Sequence, residues 1–401
     1  MGVSAVMGLL GILAFIFALL TSVMIHEAGH YLTAKRFGMK VTEFFLGFGK
    51  RLWSTKRGET EFGIKAIPAG GYCRIVGMSA SEELPEVDSP RAFYKATAPK
   101  RLIVLGAGSF LHFLLGYLLI FTIFFGVGTA ALTSTVDRVV PCISPSGAAC
   151  TSQSTPSPAR AAGILPGDRF IAINGYEIKD WNTDINVVRN SPGKTNIFAV
   201  DRNGERIDVA ITSVPYKVNG KTIGMIGVIN KIGMARSSLG TSIHHSALLS
   251  KELFTGSLSS LWQLPSKVPA LVRQTFGGEN RDPAGLVGVI GVAEASAQTA
   301  GNASLAWNER IATFLLIIAS LNIFVGIFNL LPLLPLDGGH MAIATIDGLR
   351  NTLARIRKRP NPRPIDVESL TPLTLVVFVF LAGLSLLLLA ADIFNPVHFN
   401  L

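Results

Sequence analysis

Four stretches of this chain, residues 3–25, 102–132, 311–334 and 372–393, are apolar over lengths that cross a lipid bilayer, for which about 20 residues are needed. No other feature restricts the fold as strongly. Inside hydrocarbon every backbone N–H and C=O must find a partner within the protein, so a spanning segment is a helix or part of a closed barrel. Runs this long and this uniformly apolar fit helices. Hydrophobic residues make up 49% of the 401 and charged residues 15%, against about 25% charged in a typical soluble domain. The first run has no Lys or Arg, so it lacks the basic start of a secretory signal. Val6 also stands where a myristoylation signal needs Ser or Thr. We read this run as a retained helix that continues through residue 37.

Charge placement sets the expected orientation. Lys and Arg crowd the segment from Lys35 to Arg101, and Arg350, Arg355, Arg357, Lys358, Arg359 and Arg363 precede the fourth run. Positive loops stay cytoplasmic, which leaves both termini and residues 133–310 outside. The net charge of +10 therefore suits an anionic inner leaflet. No nucleic-acid motif accompanies it. Cys142 and Cys150 lie close together in an outside loop, where a disulfide is expected. Cys73 stands alone on the reducing side and reads as a small apolar strand residue.

Residues 133–235 follow a soluble, β-rich pattern. Asn174-Gly175 and Asn203-Gly204 separate alternating apolar runs, a strong hairpin signal. The run A-G-I-L-P-G-D-x-x-x-x-I-N-G from Ala162, with S-P-G-K at 191–194, resembles bacterial PDZ domains, which bind extended peptide by strand addition. A β-rich spacer without a ligand is the alternative. Residues 239–271 read as amphipathic or interfacial, with Trp262 as a boundary anchor. Residues 282–300, rich in Gly and Ala, have no clear pattern. The expected segments are therefore 1–37 and 102–132 as the first two helices and 38–101 between them. The β-rich domain takes 133–235 and an interfacial linker 236–310. The third helix takes 311–340, a cytoplasmic loop 341–371 and the fourth helix 372–394.

The chemistry centres on His26-Glu27-Ala28-Gly29-His30. On a helix the two histidines are one turn apart and face the same way. Imidazoles so spaced hold one Zn²⁺, and the glutamate between them is placed to work on a water. Ionisable groups at membrane depth carry a cost of roughly 2.5–3.5 kcal/mol each on insertion scales, which argues for function. A catalytic zinc needs a third protein ligand and one open position. Asp337 is the leading candidate, in a stretch where Pro332, Pro335, Gly338 and Gly339 break the helix. Such breaks occur where backbone lines a cavity. His340 is the rival, because imidazole also suits zinc.

H-E-x-x-H on the first helix, N-x-x-P-x-x-P-L-D-G from Asn329 on the third and the intervening PDZ-like module resemble the site-two protease family of intramembrane metalloproteases. The likeness is strongest to bacterial members acting in regulated intramembrane proteolysis. It implies a polytopic α-helical membrane protein with four transmembrane helices, a cytoplasmic-side membrane-associated β-hairpin and an extracytoplasmic PDZ-like β-rich domain. It implies His26, His30 and Asp337 as zinc ligands, Glu27 as general base and Asn329 near the substrate. Gly70-Gly71-Tyr72 matches the family's G-G-Y hairpin, which takes substrate as an added strand. On the second helix Ala107-Gly108-Ser109-Phe110-Leu111-His112 departs from the family's A-G-P-x-x-N, with His112 in the asparagine's place, either as a hydrogen-bond donor near the metal or as a satisfied histidine of the bundle. Asp282-Pro283-Ala284-Gly285-Leu286 matches G-P-x-G-I only loosely. The implied substrates are single-span membrane proteins such as trimmed anti-sigma factors. The implied partners are the lipid bilayer and a peptide or protein bound outside by the PDZ-like domain. The implied location is the plasma membrane, with the active site toward the cytoplasm. A metal-binding transporter and a non-catalytic PDZ scaffold are the competing classes. Neither accounts for a glutamate between two zinc-spaced histidines.

Overall fold

The computed structural model describes residues 2–143, 149–151, 154–218, 220–282, 285–360 and 362–397. In chain order, α1 (Val3–Arg36) leads to β1 (Val41–Arg57), β2 (Thr60–Ile75) and α2 (Ala98–Thr122). There follow β3 (Thr129–Val139), β4 (Cys142–Ile143), β5 (Thr155–Pro156), α3 (Pro158–Ala161), β6 (Arg169–Ile173), β7 (Tyr176–Glu177), α4 (Trp181–Asp184) and α5 (Asn186–Arg189). Next are β8 (Thr195–Arg202), β9 (Glu205–Thr212), β10 (Val214–Val218), β11 (Lys221–Met225) and β12 (Val228–Ala235). The chain ends with α6 (Leu239–Phe276), α7 (Val289–Gly301), α8 (Trp307–Asn329), α9 (Asp337–Ile356) and α10 (Thr371–Phe394). Two compact units result, one from Met1–Gly126 with Ser238–Leu401 and one from Val127–Ser237.

The first unit holds all four helices long and apolar enough to cross a membrane among the described residues: α1, α2 with its extension to Val127, α8, and α10. The buried residues of α1, from Gly11 and Phe15 through Ser22, His26, Gly29, His30 and Ala34, repeat at helical spacing. The motif histidines therefore lie on the inward face. Gly29 sits where a Cβ would come within 2.7 Å of the Ala107 carbonyl, so α1 and α2 cross backbone to backbone, as small residues permit. Arg281 and Asp392 form a buried ion pair at 3.1 Å. The Gly288 and Gly291 amides also donate to Asp392, which fastens the end of α10 to the start of α7.

β1 and β2 make more than a simple hairpin. Residues 41–46 pair on one side with residues 71–75 and on the other with residues 60–64, which in turn pair with residues 53–57. The result is a four-segment mixed sheet, antiparallel in its two outer pairings and parallel where residues 43–46 meet residues 61–64, and no strand among the described residues covers the outer edge of residues 71–75. Glu59, at the turn, accepts from Lys35 at 2.5 Å and from Arg91 at 2.6 and 2.7 Å. These bonds, Arg91's foremost, pull its carboxyl down to about 2 and tie the sheet to the end of α1.

The second unit is built on a six-stranded sheet of order β12-β3-β6-β8-β9, with β7 on β6. Phe170, Trp181, Phe198, Val200 and Ile211 form its core, and Phe170 stacks on Trp181 at 5.2 Å. Asn174 and Gly175 have φ of 52° and 85°, and Asn203 and Gly204 have 56° and 88°. Both pairs make the two-residue turns that match strand twist. Burial alone would raise the Asp168 carboxyl, but the Arg202 guanidinium and the Leu165 N–H outweigh it and hold it below the usual range. Cys142 and Cys150 are joined by a disulfide.

Several boundaries differ from the sequence reading. The second helix does not run over 102–132: it ends by Val127, and residues 129–132 begin β3. Gly128, at φ 102°, makes the break that apolarity alone does not signal. The expected hairpin within 38–101 is the four-segment sheet. The linker 236–310 contains two helices, α6 and α7, and the third helix within 311–340 starts early, at Trp307, and stops at Asn329. The loop assigned to 341–371 is helical as far as Ile356. In the Asp282–Leu286 segment, Pro283 and Ala284 lie outside the described residues.

The Glu59 network generates a pH prediction. A carboxyl whose folded value lies below its ordinary value stabilises the fold above the ordinary value, and that contribution is lost as pH falls. Amide exchange at residues 57–60, corrected for its intrinsic pH dependence, should rise as pH drops from about 4.5 toward 2. Glu59→Gln should show the faster exchange already at pH 7, by about 1 kcal/mol. Equal protection in the variant would reject the link.

Candidate active site

Three side chains from distant parts of the chain converge beside α2. His26 Nε2 and His30 Nε2 are 3.0 Å apart, and Asp337 Oδ2 lies 3.2 Å from the first and 3.3 Å from the second. Both histidines are buried. Asp337 is the first residue of α9, where the helix N-terminus favours a carboxylate. A tetrahedral ion with ligand bonds of about 2.0 Å has donor–donor edges of about 3.3 Å. The triangle therefore fits zinc. Among the described residues it is the one group of three or more His, Cys, Asp or Glu that fits a metal. His340, one turn further along α9, is not part of it.

The surroundings orient these donors. His30 Nδ1 hydrogen-bonds the Val104 carbonyl at 2.8 Å. A carbonyl only accepts, so Nδ1 carries the proton and Nε2 keeps its lone pair for a metal. A Cβ on Gly108 would lie 2.5 Å from the His26 ring and 2.7 Å from His30 Nε2, so α2 can pass this close only with glycine there. Gly338 and Gly339 likewise abut the carbonyls of Leu330, Leu331 and Leu333, which lets the broken segment fold against the first turn of α9 and point Asp337 inward.

Glu27 faces the sheet. A Cβ on Gly71 would lie 3.3 Å from Glu27 Cγ and 2.9 Å from Met24 Sδ, and the Cys73 amide is directed at the Glu27 carboxylate. The uncovered edge of residues 71–75 thus runs directly past Glu27. Tyr72 stacks on Phe45 and Phe48 and bonds Glu43 and Lys65. Gly70, at φ 147°, turns the chain into this edge. Cys73 lies in the same edge, and burial, with the nearby Glu27 charge, pushes its thiol up to about 12.

The structure changes the part read for His112. Its ring is 4.9 Å from that of His26, and its Nδ1 meets Asn322 Oδ1 at 2.8 Å. Asn322 Nδ2 donates to the Ile318 carbonyl and to Ser22 Oγ. The amide oxygen therefore faces His112, and Nδ1 is the donor. A neutral His112 then offers a lone pair at Nε2, where it is an acceptor rather than a donor. The network runs through Asn322; Asn329, seven residues on, is the half-buried last residue of α8. Asn322 and Ser22 were missed by sequence reasoning. The signal available was polarity inside an apolar run, with Asn322 two turns before Asn329 and Ser22 one turn before His26.

Comparison with known proteins agrees with this geometry. The model of peptidase family M50 matches residues 14–362. The chain is 36% identical to the zinc metalloprotease Rip1 of Mycobacterium bovis, over 97% of this chain and 98% of that protein. It is 35% identical to Rip1 of Mycobacterium tuberculosis over 97% and 98% of the two chains. For Rip1 of Mycolicibacterium smegmatis the identity is 35% over 96% and 98%.

Gly108→Ala should displace both imidazoles, and support of this kind is worth about 10- to 100-fold in metal affinity. Metal analysis of the purified variant should show depleted zinc. Gly106→Ala, whose added Cβ would have its nearest neighbour, Met341 Cε, at 3.8 Å, should retain it. Equal zinc in the two variants would contradict this account of the crossing.

Proposed function

The chain belongs to peptidase family M50 and is an intramembrane zinc metalloprotease, and on that footing we propose that His26, His30 and Asp337 are its metal ligands and Glu27 its general base. The single observation that carries this is the triangle of donor atoms with 3.0–3.3 Å edges beside Glu27. When bound, zinc supplies a Lewis acid that polarises a carbonyl and brings the pKa of a water down to about 7.

The protein's own groups do the rest. Glu27 takes the proton of the attacking water and returns it to the leaving amine. The Val104 carbonyl holds His30 in the metal-ready tautomer. A substrate helix has its carbonyls bonded internally and must unwind before attack. The uncovered edge of residues 71–75 offers an unwound stretch the main-chain bonds it has lost, and Gly71, without a side chain, lets that edge lie close against Glu27. His112, steadied by Asn322, accepts a hydrogen bond from substrate or water beside the metal ligands.

Substrates on this reading are single-span membrane proteins, anti-sigma factors among them, already shortened outside. The basic segments favour an active site toward the cytoplasm and residues 127–237 outside. That unit is a PDZ-like filter whose β12, an edge strand of its sheet, takes a peptide or protein ligand by strand addition.

Two experiments test the reading. Glu27→Ala should abolish cleavage of a transmembrane peptide by the detergent-purified protein, while zinc content stays that of the parent; retained proteolysis would remove Glu27 from its role. For the filter, the strand ends at Thr129 and Ala235 are paired. A short Gly/Ser linker can therefore replace the sequence between them. That variant should cut untrimmed substrates that the parent spares, and unchanged selectivity would count against gating by this unit.

A further inference from the structure

α9 carries a face that the peptidase reaction does not use. Its inward side is fixed. Ile343, Ala344 and Asp347 are buried, and Asp347 bonds Arg101 of α2 at 3.2 Å and the Ile365 amide at 3.1 Å. Its outward side presents Ile346, Leu349, Leu353 and Ile356, each between 47% and 72% exposed. Their spacing of three, four and three residues makes one continuous apolar stripe. Arg350 borders the stripe, and Arg355, Arg357, Lys358 and Arg359 cluster in the last turn and just past the helix end. Arg350 reaches Asp347 at 3.5 Å; the other four make no ion pair among the described residues.

In water such a stripe would be a liability. Here the helix is tethered at both ends to candidate membrane spans, α8 before it and α10 after it. An apolar stripe bordered by arginines, held at a membrane by its own chain, is the pattern of a helix lying in the headgroup layer of an anionic leaflet. We propose that the outward face of α9 docks on anionic phospholipid, its stripe at the acyl boundary and Arg355, Arg357, Lys358 and Arg359 on lipid phosphates, and that this docking steadies Asp337. The mechanical link is direct. Asp337 is the first residue of this helix, the docking residues are its last turns about 28 Å away, and the Arg101–Asp347 pair pins the middle. The Asp337 part rests on that residue being a metal ligand; the docking part does not.

The test uses full-length, zinc-loaded protein carrying Leu353→Cys and a polarity-sensitive maleimide dye. Cys142 and Cys150 are bridged, and the free Cys73 is changed to Ala in every variant, so the dye reports position 353. In vesicles of phosphatidylcholine with one-third phosphatidylglycerol, the emission should shift to the blue and be quenched from the lipid phase. In pure phosphatidylcholine, or with Arg355, Arg357, Lys358 and Arg359 all changed to Gln, both effects should be lost. Zinc loss to a chelator in the anionic vesicles should be about tenfold faster in the fourfold variant, the low end for a ligand that loses its support. A dye that stays in water in both vesicles overturns the docking. A blue shift that instead follows protein concentration in detergent overturns it in favour of a second copy of the chain. Docking with unchanged zinc loss overturns the link to Asp337 while leaving the ligand assignment standing.

Discussion

A carboxylate and two imidazoles lie within 3.3 Å of one another, the imidazoles on a helix apolar enough to span a bilayer, and they set the terms for everything around them. In hydrocarbon such groups are tolerated only when they satisfy one another, a backbone partner or a bound ion. A divalent cation would balance the carboxylate and use both imidazole lone pairs at once. The rest of the first unit brings the donors to one point and occupies the far nitrogen of His30 with the Val104 carbonyl.

Close approach makes that possible. Bilayers give no hydrophobic drive for helices to associate, so packing depends on backbones coming near one another. At the α1–α2 crossing the small residues are Gly29 and Ala107-Gly108, at the α8 side Gly326 abuts Phe113 and His112, and at α9 Gly338 and Gly339 abut the preceding loop. Each lies next to a residue of the site. These glycines are not flexible joints; they are places where a side chain would push a ligand or its support aside.

Much of this was legible in the sequence, for a physical reason. A spanning helix is announced by length and apolarity alone, and H-E-x-x-H carries its geometry within five residues, so α1 and its histidines could be read directly. Asp337 was legible because prolines and glycines expose a break. What the sequence did not show were relations between segments. Asn322 and Ser22 look like scattered polar residues until His112 is seen beside them. The segment 38–101 reads as a hairpin because pairing by neighbour is the simplest choice, whereas residues 41–46 are flanked on both sides. The second helix was drawn too long because the residues after Gly128 stay apolar while changing to strand.

The four-segment arrangement also bears on how an unwound substrate would meet the proposed metal ligands. A two-stranded hairpin in isolation is marginal, and a flexible one would offer its edge in no fixed place. With residues 41–46 in the middle, residues 71–75 become an edge backed by further pairing, and the Glu59 network ties the opposite end of the sheet to α1. The same helix carries Glu27 and both histidines. The edge that would receive a substrate strand and the α1 groups that would act on it are therefore referenced to one rigid element, so that a bound strand, Glu27 and the two histidines keep their spacing if neighbouring helices shift. Fixing position in advance, before any substrate is present, is where an enzyme gains most from orientation. In a membrane it matters more, because an unwound peptide cannot wait with its carbonyls unbonded.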